Sequence, residues 1–271
     1  MRKKSSVRMP PASAMVERNP IRLAWTRISE IGMRASNQDA VGEAQHGDIS
    51  CFIIADGAGG HEGGEVAANI VVESMLEKFA SVPAFGAHAL LSYTAHAIAS
   101  VAKNKQIQAQ NHDMSATVAA LLVDQANAHA LWAHLGDTRI YLFRDAKLVS
   151  VTRDHSLTQQ LIDAGYARAD QLRSHPQRNI LFAAVGAEGE TPVALGDGPV
   201  QLLDGDALLV CSDGLWEWVH EDEMERTLAE SGNSEQWLTA MCALAEAAME
   251  GTDKVRDNFS AYAIRVEREI V

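Results

Sequence analysis

The chain is 271 residues long and 47% apolar, with 23 basic against 36 acidic side chains and a formal net charge of −13. That size allows one large domain or two small ones and enough apolar content for a sizeable core, while the acidic balance repels a phosphate backbone and disfavours nucleic-acid binding. The three cysteines, Cys51, Cys211 and Cys242, form no C-x-x-C pair, so neither a disulfide framework nor a zinc knuckle is indicated and a reducing compartment is expected.

Residues 1–20 carry Arg2, Lys3, Lys4 and Arg8 with no apolar segment behind them, and read as a flexible basic tail rather than a secretory signal. No run of about 18 apolar residues exists to cross a bilayer, so no membrane contact is expected and the cytoplasm is the expected location. An apolar run at 51–55 reads as a strand ending at Asp56, with Asp39 shortly before it. It leads through Gly57, Gly59, Gly60, Gly63 and Gly64 into a helix with the apolar stripe Val66, Ile70, Met75, Leu76 and Phe79. Leu91, Ala95, Ile98, Val101 and Ala102 form a second stripe. Strands recur at 117–123, at 128–135 leading to Asp137, and at 140–143, which Arg144-Asp145-Ala146-Lys147 joins at hairpin length to 148–151. Residues 155–189 are a polar excursion: a short helix over 156–164, a stop at Gly165 and an irregular stretch of the kind that carries recognition or gating. Asp204-Gly205 has hairpin length between 200–203 and 207–211, and the latter leads to Asp213. A third helical stripe is Trp237, Met241, Leu244 and Ala248, and Asp257 precedes the last strand at 259–266.

Hairpins imply antiparallel sheets, and separate helical blocks imply layers packed on them, so the expected class is α+β. With no repeat, low-complexity block or long polar linker, residues 21–271 are expected to form one domain.

The aspartates carry the chemistry. Asp56, Asp137 and Asp213 each close an apolar strand, and strand ends are rigid mounts for ligands. If the strand after Asp257 runs antiparallel to the one ending at Asp213, both carboxylates fall on one rim. Taken alone, Asp56-Gly57 or Asp213-Gly214 reads as a hairpin turn, but neither is followed by a matching strand; Asp204-Gly205 is, and stays a turn. Gly136-Asp137-Thr138 is also acceptable as a tight hairpin. Several carboxylates on one rim repel unless cations neutralise them. Oxygen-only donors suit Mg²⁺, Mn²⁺ or Ca²⁺ over zinc, and two such ions about 3.5–4 Å apart clamp a phosphoryl group and acidify a bridging water. Spacing alone therefore reaches a binuclear hydrolase.

The ordered set Arg34-Ala-Ser-Asn37-Gln38-Asp39, Ala55-Asp56-Gly57-Ala58-Gly59-Gly60-His61, His134-Leu-Gly136-Asp137-Thr138-Arg139, Thr152-Arg-Asp154-His155-Ser156, Ser212-Asp213-Gly214 and Asp257-Asn258 resembles the bacterial branch of the metal-dependent protein phosphatases, the protein phosphatase 2C family. His175-Pro176-Gln177-Arg178-Asn179 resembles that branch's flap. The resemblance spans roughly residues 23–266. It implies a four-layer sandwich of two antiparallel β-sheets flanked by helices, with the flap at roughly 155–189. It implies hydrolysis of phosphoserine and phosphothreonine in proteins by a metal-activated water, with two tight Mn²⁺ or Mg²⁺ ions and a third, weaker one. Asp56 would bridge two ions, Gly57 would offer its carbonyl, Asp213 and Asp257 would complete the other ion, and Asp39 would hold metal-bound water. Asp137 with Asp213 matches the third site, and Arg34 matches the arginine that grips substrate phosphate, as a guanidinium fork suits. Phosphorylated proteins, a cognate Ser/Thr kinase and a monomeric state follow as expectations. Gln38, Ala58 and Ser115-Ala116-Thr117 depart from the family pattern without deleting a core ligand; Ala58 leaves no general acid at its position. His61, His134, His155 and His175 are kept out of the catalytic set. The alternative is an inactive relative that binds phosphoproteins or senses metal, against which the retention of Asp56, Asp213 and Asp257 argues.

Overall fold

The computed structural model describes residues 20–58, 63–107, 113–187, 189 and 192–268. The expected basic tail lies outside the described residues, save for Pro20, and so do Gly59, Gly60 and His61. In chain order the elements are β1 (Ile21–Glu30), β2 (Asp39–His46), β3 (Ile49–Ala58), α1 (Gly63–Ser81), α2 (Ala87–Ile107), β4 (Ser115–Ala116), β5 (Val118–Asp124), β6 (His129–Leu135), β7 (Arg139–Arg144) and β8 (Lys147–Val151). There follow α3 (Leu157–Asp163), β9 (Ala194–Leu195), β10 (Val200–Gln201), β11 (Ala207–Cys211), α4 (Asp213–Trp216), α5 (Glu221–Glu230), α6 (Ser234–Met249) and β12 (Phe259–Arg268).

The apolar run of β3 is continuous because both of its faces are buried. Cys51, Ile53 and Ala55 turn to α1 and α2, while Phe52 and Ile54 turn to the opposite sheet, as the two-residue period of a strand requires. One sheet has the order β10-β6-β5-β3-β2, with β4 on β3 and β9 on β6; the other has β1-β12-β11-β7-β8. Every strand pair is antiparallel. The core between the sheets holds Phe52, Leu121, Ile140, Leu208, Tyr262 and Ile264. On the outer face of the second sheet, Tyr141, Phe143 and Leu209 pack against Trp216, Trp237 and Met241 from α4 and α6. This is the expected α-β-β-α sandwich. Among the described residues no helix is long and apolar enough to cross a membrane.

Several local expectations need correction. β1 and β2 were not among the expected strands: charged residues such as Arg27 interrupt the apolar alternation of β1 at a sheet edge, and its full ten-residue register with β12 is what makes it a strand. The buried face of α1 is Ala67, Ala68, Val71, Val72, Met75 and Phe79, so of the expected stripe only Met75 and Phe79 are fully buried, with Val66, Ile70 and Leu76 at its margin. In α2 the buried face is Leu90, Tyr93, Thr94, Ala97 and Val101, while Leu91, Ala95 and Ala102 face solvent. Small alanines and a threonine fill those interfaces, and a search for large apolar side chains rotates the stripe off the true face. In α6, Trp237 and Met241 are buried but Ala248 is exposed. The 144–147 link is a true hairpin, with Asp145 and Ala146 at positive φ. The other two are not hairpins. Gly136–Thr138 passes from β6 in one sheet to β7 in the other, and the turn at Asp204-Gly205 likewise joins β10 to β11 across the sandwich. The excursion after β8 is as expected: Ser156 caps α3 through its side chain, and Gly165 follows at φ +77°.

Candidate active site

The strand ends that carry the aspartates converge at one end of the sandwich. Asp39 opens β2 directly opposite Asp56 on β3. Gly57 follows in a crowded place: its N–H donates to the Gln38 carbonyl at 3.0 Å, and a Cβ there would lie 2.2 Å from the Gly64 carbonyl oxygen. Only glycine lets β3 run this close to the start of α1. Asp213 begins α4 immediately after β11, and Asp257 lies just before β12; because β11 and β12 pair antiparallel, the two carboxylates share a rim. Asp137 enters from the β6–β7 crossing.

Arg34, Asp56, Gly57, Asp137, Asp213 and Asp257 line one pocket of about 190 Å³, which Asn179 and Leu181 close from the 155–189 segment. Of the expected site residues only Asp39 stands behind it, buried, with Oδ2 accepting from the Ser212 hydroxyl at 2.7 Å. Among the described residues no histidine lines the pocket. His134 stacks on His155 at 4.8 Å and holds the Arg153 carbonyl, His155 accepts from the Gly136 N–H, and the His175 ring hydrogen-bonds Thr158 and the Gln177 N–H.

Electrostatically the rim is strained in one direction. Burial pushes the Asp39 carboxyl up to about 7, with Asp213 and Asp257 adding to the rise and the Ser212 hydroxyl opposing it. Burial, then the charges of Asp39, Asp213, Asp137 and Asp257, raise Asp56 well above the ordinary carboxylate range. Asp137 is raised in the same way by burial and Asp213. Burial raises Asp213 too, against the pull of the Arg178 guanidinium. Two cations answer this charge: Arg34 donates to Asp257 Oδ2 at 2.6 Å, and Arg178 donates to Asp213 Oδ2 at 3.1 Å while also pairing with Glu217.

Among the described residues no three His, Cys, Asp or Glu side chains already form a metal cage. The donors nonetheless fit a hard cation. They are all oxygens, and among the described residues Asp39 Oδ1 is buried without a hydrogen-bond partner and the Asp137 carboxylate makes no hydrogen bond. That last fact counts against a turn role for Asp137, whose main-chain carbonyl instead accepts from Trp216 Nε1 at 2.8 Å.

Sequence reasoning missed the residues that hold the rim together. The buried Asn258 side chain accepts from the Gln38 N–H and donates to the Ile31 and Ser36 carbonyls, clamping the Arg34 loop to the start of β12. Thr117 Oγ1 accepts from the Asp56 N–H at 3.0 Å and shares a 2.6 Å hydrogen bond with Thr138, tying β3 to the sheet crossing. Arg178 sits in a segment read only as flap. The Asp257-Asn258 pair was visible as a motif; its clamp was not, because the partners lie more than 200 residues away.

The sequence pattern of the family described as Protein phosphatase 2C matches residues 29–249. The chain belongs to the protein phosphatase 2C family. This phosphatase is 32% identical over 202 residues to the serine/threonine phosphatase Stp of Listeria monocytogenes, covering 72% of the chain and 79% of that relative. Its fold superimposes on the crystal structure of the Mycobacterium tuberculosis serine/threonine phosphatase PstP/Ppp with a TM-score of 0.78 at 27% identity, over 92% of this chain and all of that one. The PstP catalytic domain solved with two manganese ions gives a TM-score of 0.74 at 25% identity, over 91% of this chain and 99% of that one. The protein is an enzyme, a phosphatase whose catalysis depends on metal.

Proposed function

We propose that this phosphatase hydrolyses phosphoserine and phosphothreonine in proteins at the rim of Asp39, Asp56, Gly57, Asp137, Asp213 and Asp257. The observation that carries this is the rim itself: buried carboxylates that disfavour one another's charge, around a pocket with a guanidinium at its mouth, in a chain of this family. Asp56, the Gly57 carbonyl, Asp213 and Asp257 would hold two Mn²⁺ or Mg²⁺ ions, with Asp39 behind them orienting water and Asp137 with Asp213 taking a third ion more weakly. Bound ions supply an acidified water as nucleophile and positive charge for the phosphoryl oxygens.

The chain's own residues do the rest. Arg34 forks onto the phosphate oxygens and must trade its Asp257 partner for them. Asn179 and Leu181 cover the pocket and limit access of bulk water. Asn258 and Thr117 hold the loops that carry Arg34 and Asp56. Residues 21–271 act in this reading as one catalytic unit with 155–189 as its flap, a cytoplasmic monomer reversing a Ser/Thr kinase. Purified enzyme is expected to release phosphate from a phosphothreonine peptide with Mn²⁺ or Mg²⁺, to stop in EDTA, and to recover when the ion is returned in excess. Turnover persisting in chelator would remove the metal rim from the mechanism.

Arg34 has its own expected result. The Arg34→Ala enzyme should show a KM for phosphopeptide raised about tenfold, or ~1.4 kcal/mol, with Mn²⁺ affinity equal or tighter. Its partner Asp257 gains freedom to bind a cation, and the half-exposed ion pair contributes little to folding. Loss of a bound ion from Arg34→Ala in a calorimetric Mn²⁺ titration would make Arg34 a structural residue instead.

A further inference from the structure

A second groove, of about 440 Å³, opens off the carboxylate pocket and shares Arg34, Asn179 and Asp257 with it. One wall is the flap segment from Arg173 to Asn179; the other is Glu217, Trp218, Lys254 and Val255. In a chain of net charge −13 its lining carries four cations, Arg34, Arg173, Arg178 and Lys254, against two carboxylates, Glu217 and Asp257. Arg173 and Arg178 are largely buried and committed, the first to Glu221, the second to Asp213 and Glu217. Lys254 differs. Its side chain is 57% exposed, its ammonium lies 5.1 Å from the Trp218 ring, and the carboxylate it touches, Glu217, already serves Arg178. Lys254 is the most exposed of the four lining cations, and its contact with Glu217 Oε1 occupies one of its three N–H donors, with exposed Val255 beside it as an apolar shelf.

We propose that this groove seats the stretch of substrate polypeptide next to the phosphorylated residue and selects acidic side chains there, with Lys254 as a specificity residue. The proposal rests on the phosphatase reading above. A phosphoresidue held by Arg34 places its flanking chain at the groove's open end, and a carboxylate entering it meets the exposed ammonium of Lys254, which has N–H donors beyond the one on Glu217. A lysine entering the same place meets like charge, so discrimination comes from repulsion of basic flanks as well as attraction of acidic ones.

The test uses three phosphothreonine peptides of equal length, flanked on both sides by aspartate, serine or lysine, with p-nitrophenyl phosphate as a substrate that has no flanks. The wild-type enzyme should prefer the aspartate peptide to the lysine peptide by at least about tenfold in kcat/KM at low salt, with the ratio shrinking as salt rises. Lys254→Ala should cut that ratio severalfold through KM, and Lys254→Glu should bring it to parity or invert it, both with unchanged p-nitrophenyl phosphate turnover. Equal use of all three peptides by the wild type, or a preference that survives Lys254→Glu, would overturn the groove assignment while the phosphatase reading stood. Absence of metal-dependent p-nitrophenyl phosphate hydrolysis in the wild type would instead strike the reading on which the groove depends.

Discussion

The Asp56→Asn enzyme is expected to lose about a thousandfold or more of its phosphopeptide turnover at saturating Mn²⁺, the scale of removing a preorganised electrostatic group from a closed site. The substitution is nearly isosteric, and the Asp56 N–H and carbonyl keep their bonds to Thr117, so the backbone should stay in place. In EDTA the variant should melt no lower than the parent. The sign follows from the raised carboxyl: burial and four acidic neighbours disfavour its ionisation, so charge at Asp56 destabilises the metal-free fold. That penalty is absent at acid pH and grows as pH rises above the ordinary carboxylate range; asparagine removes it. Adding Mn²⁺ should then raise the melting temperature of the parent more than that of the variant. Retention of more than a tenth of the activity by Asp56→Asn would falsify its bridging role.

Asp154→Ala should be the most destabilising of the single changes considered, at about 3–5 kcal/mol, the cost of leaving a buried charge without its partner. Arg139 donates from Nε and Nη2 to the two Asp154 oxygens, both at 2.7 Å, with the side chains 5% and 3% exposed. Its third nitrogen reaches the Tyr141 hydroxyl, and its Cζ lies over the Trp216 ring, 3.5 Å from the centroid. Trp216 in turn donates to the Asp137 carbonyl, so the pair locks β7, the root of the flap and α4 together beneath the rim. Among the described residues, removing Asp154 leaves the guanidinium with a hydroxyl, an indole face and Glu221 at 3.8 Å. A fall of about 10 °C in melting temperature should accompany the loss. The double change Arg139→Met with Asp154→Leu should cost much less, since it leaves no buried charge behind. Urea unfolding of the metal-free proteins measures both, and a loss below about 1 kcal/mol for Asp154→Ala would mean that water or Glu221 takes over the pairing.

Much of the candidate site was legible because its residues lie at strand ends. Asp56, Asp137 and Asp213 each follow a run buried on both faces, and such runs declare themselves by continuous apolar composition. Asp257 was legible conditionally, through the antiparallel pairing of β11 with β12 that the structure contains. The edge strand β1 was not legible, since charged residues interrupt its apolar alternation and only the β12 register identifies it. The faces of α1 and α2 were misplaced because alanine buries as readily as leucine but weighs little in a search for large apolar side chains.

By itself the sequence determined the class of layers and, through its ordered motifs, the family, and it pointed to the oxygen donors of the candidate site. Those properties are written in composition and local period, which neighbouring residues share. Only the tertiary structure decided that Gly136–Thr138 crosses between sheets instead of turning within one, which delivers Asp137 to the pocket. It alone paired Arg34 with Asp257, Arg178 with Asp213 and Arg139 with Asp154, and set Asn258 across the Arg34 loop. The physical reason is range. A hydrogen bond or ion pair is set by distances of about 3 Å in space, and apart from Arg139 with Asp154 these partners are separated along the chain by 35 to 227 residues, across which no local pattern in the sequence reports.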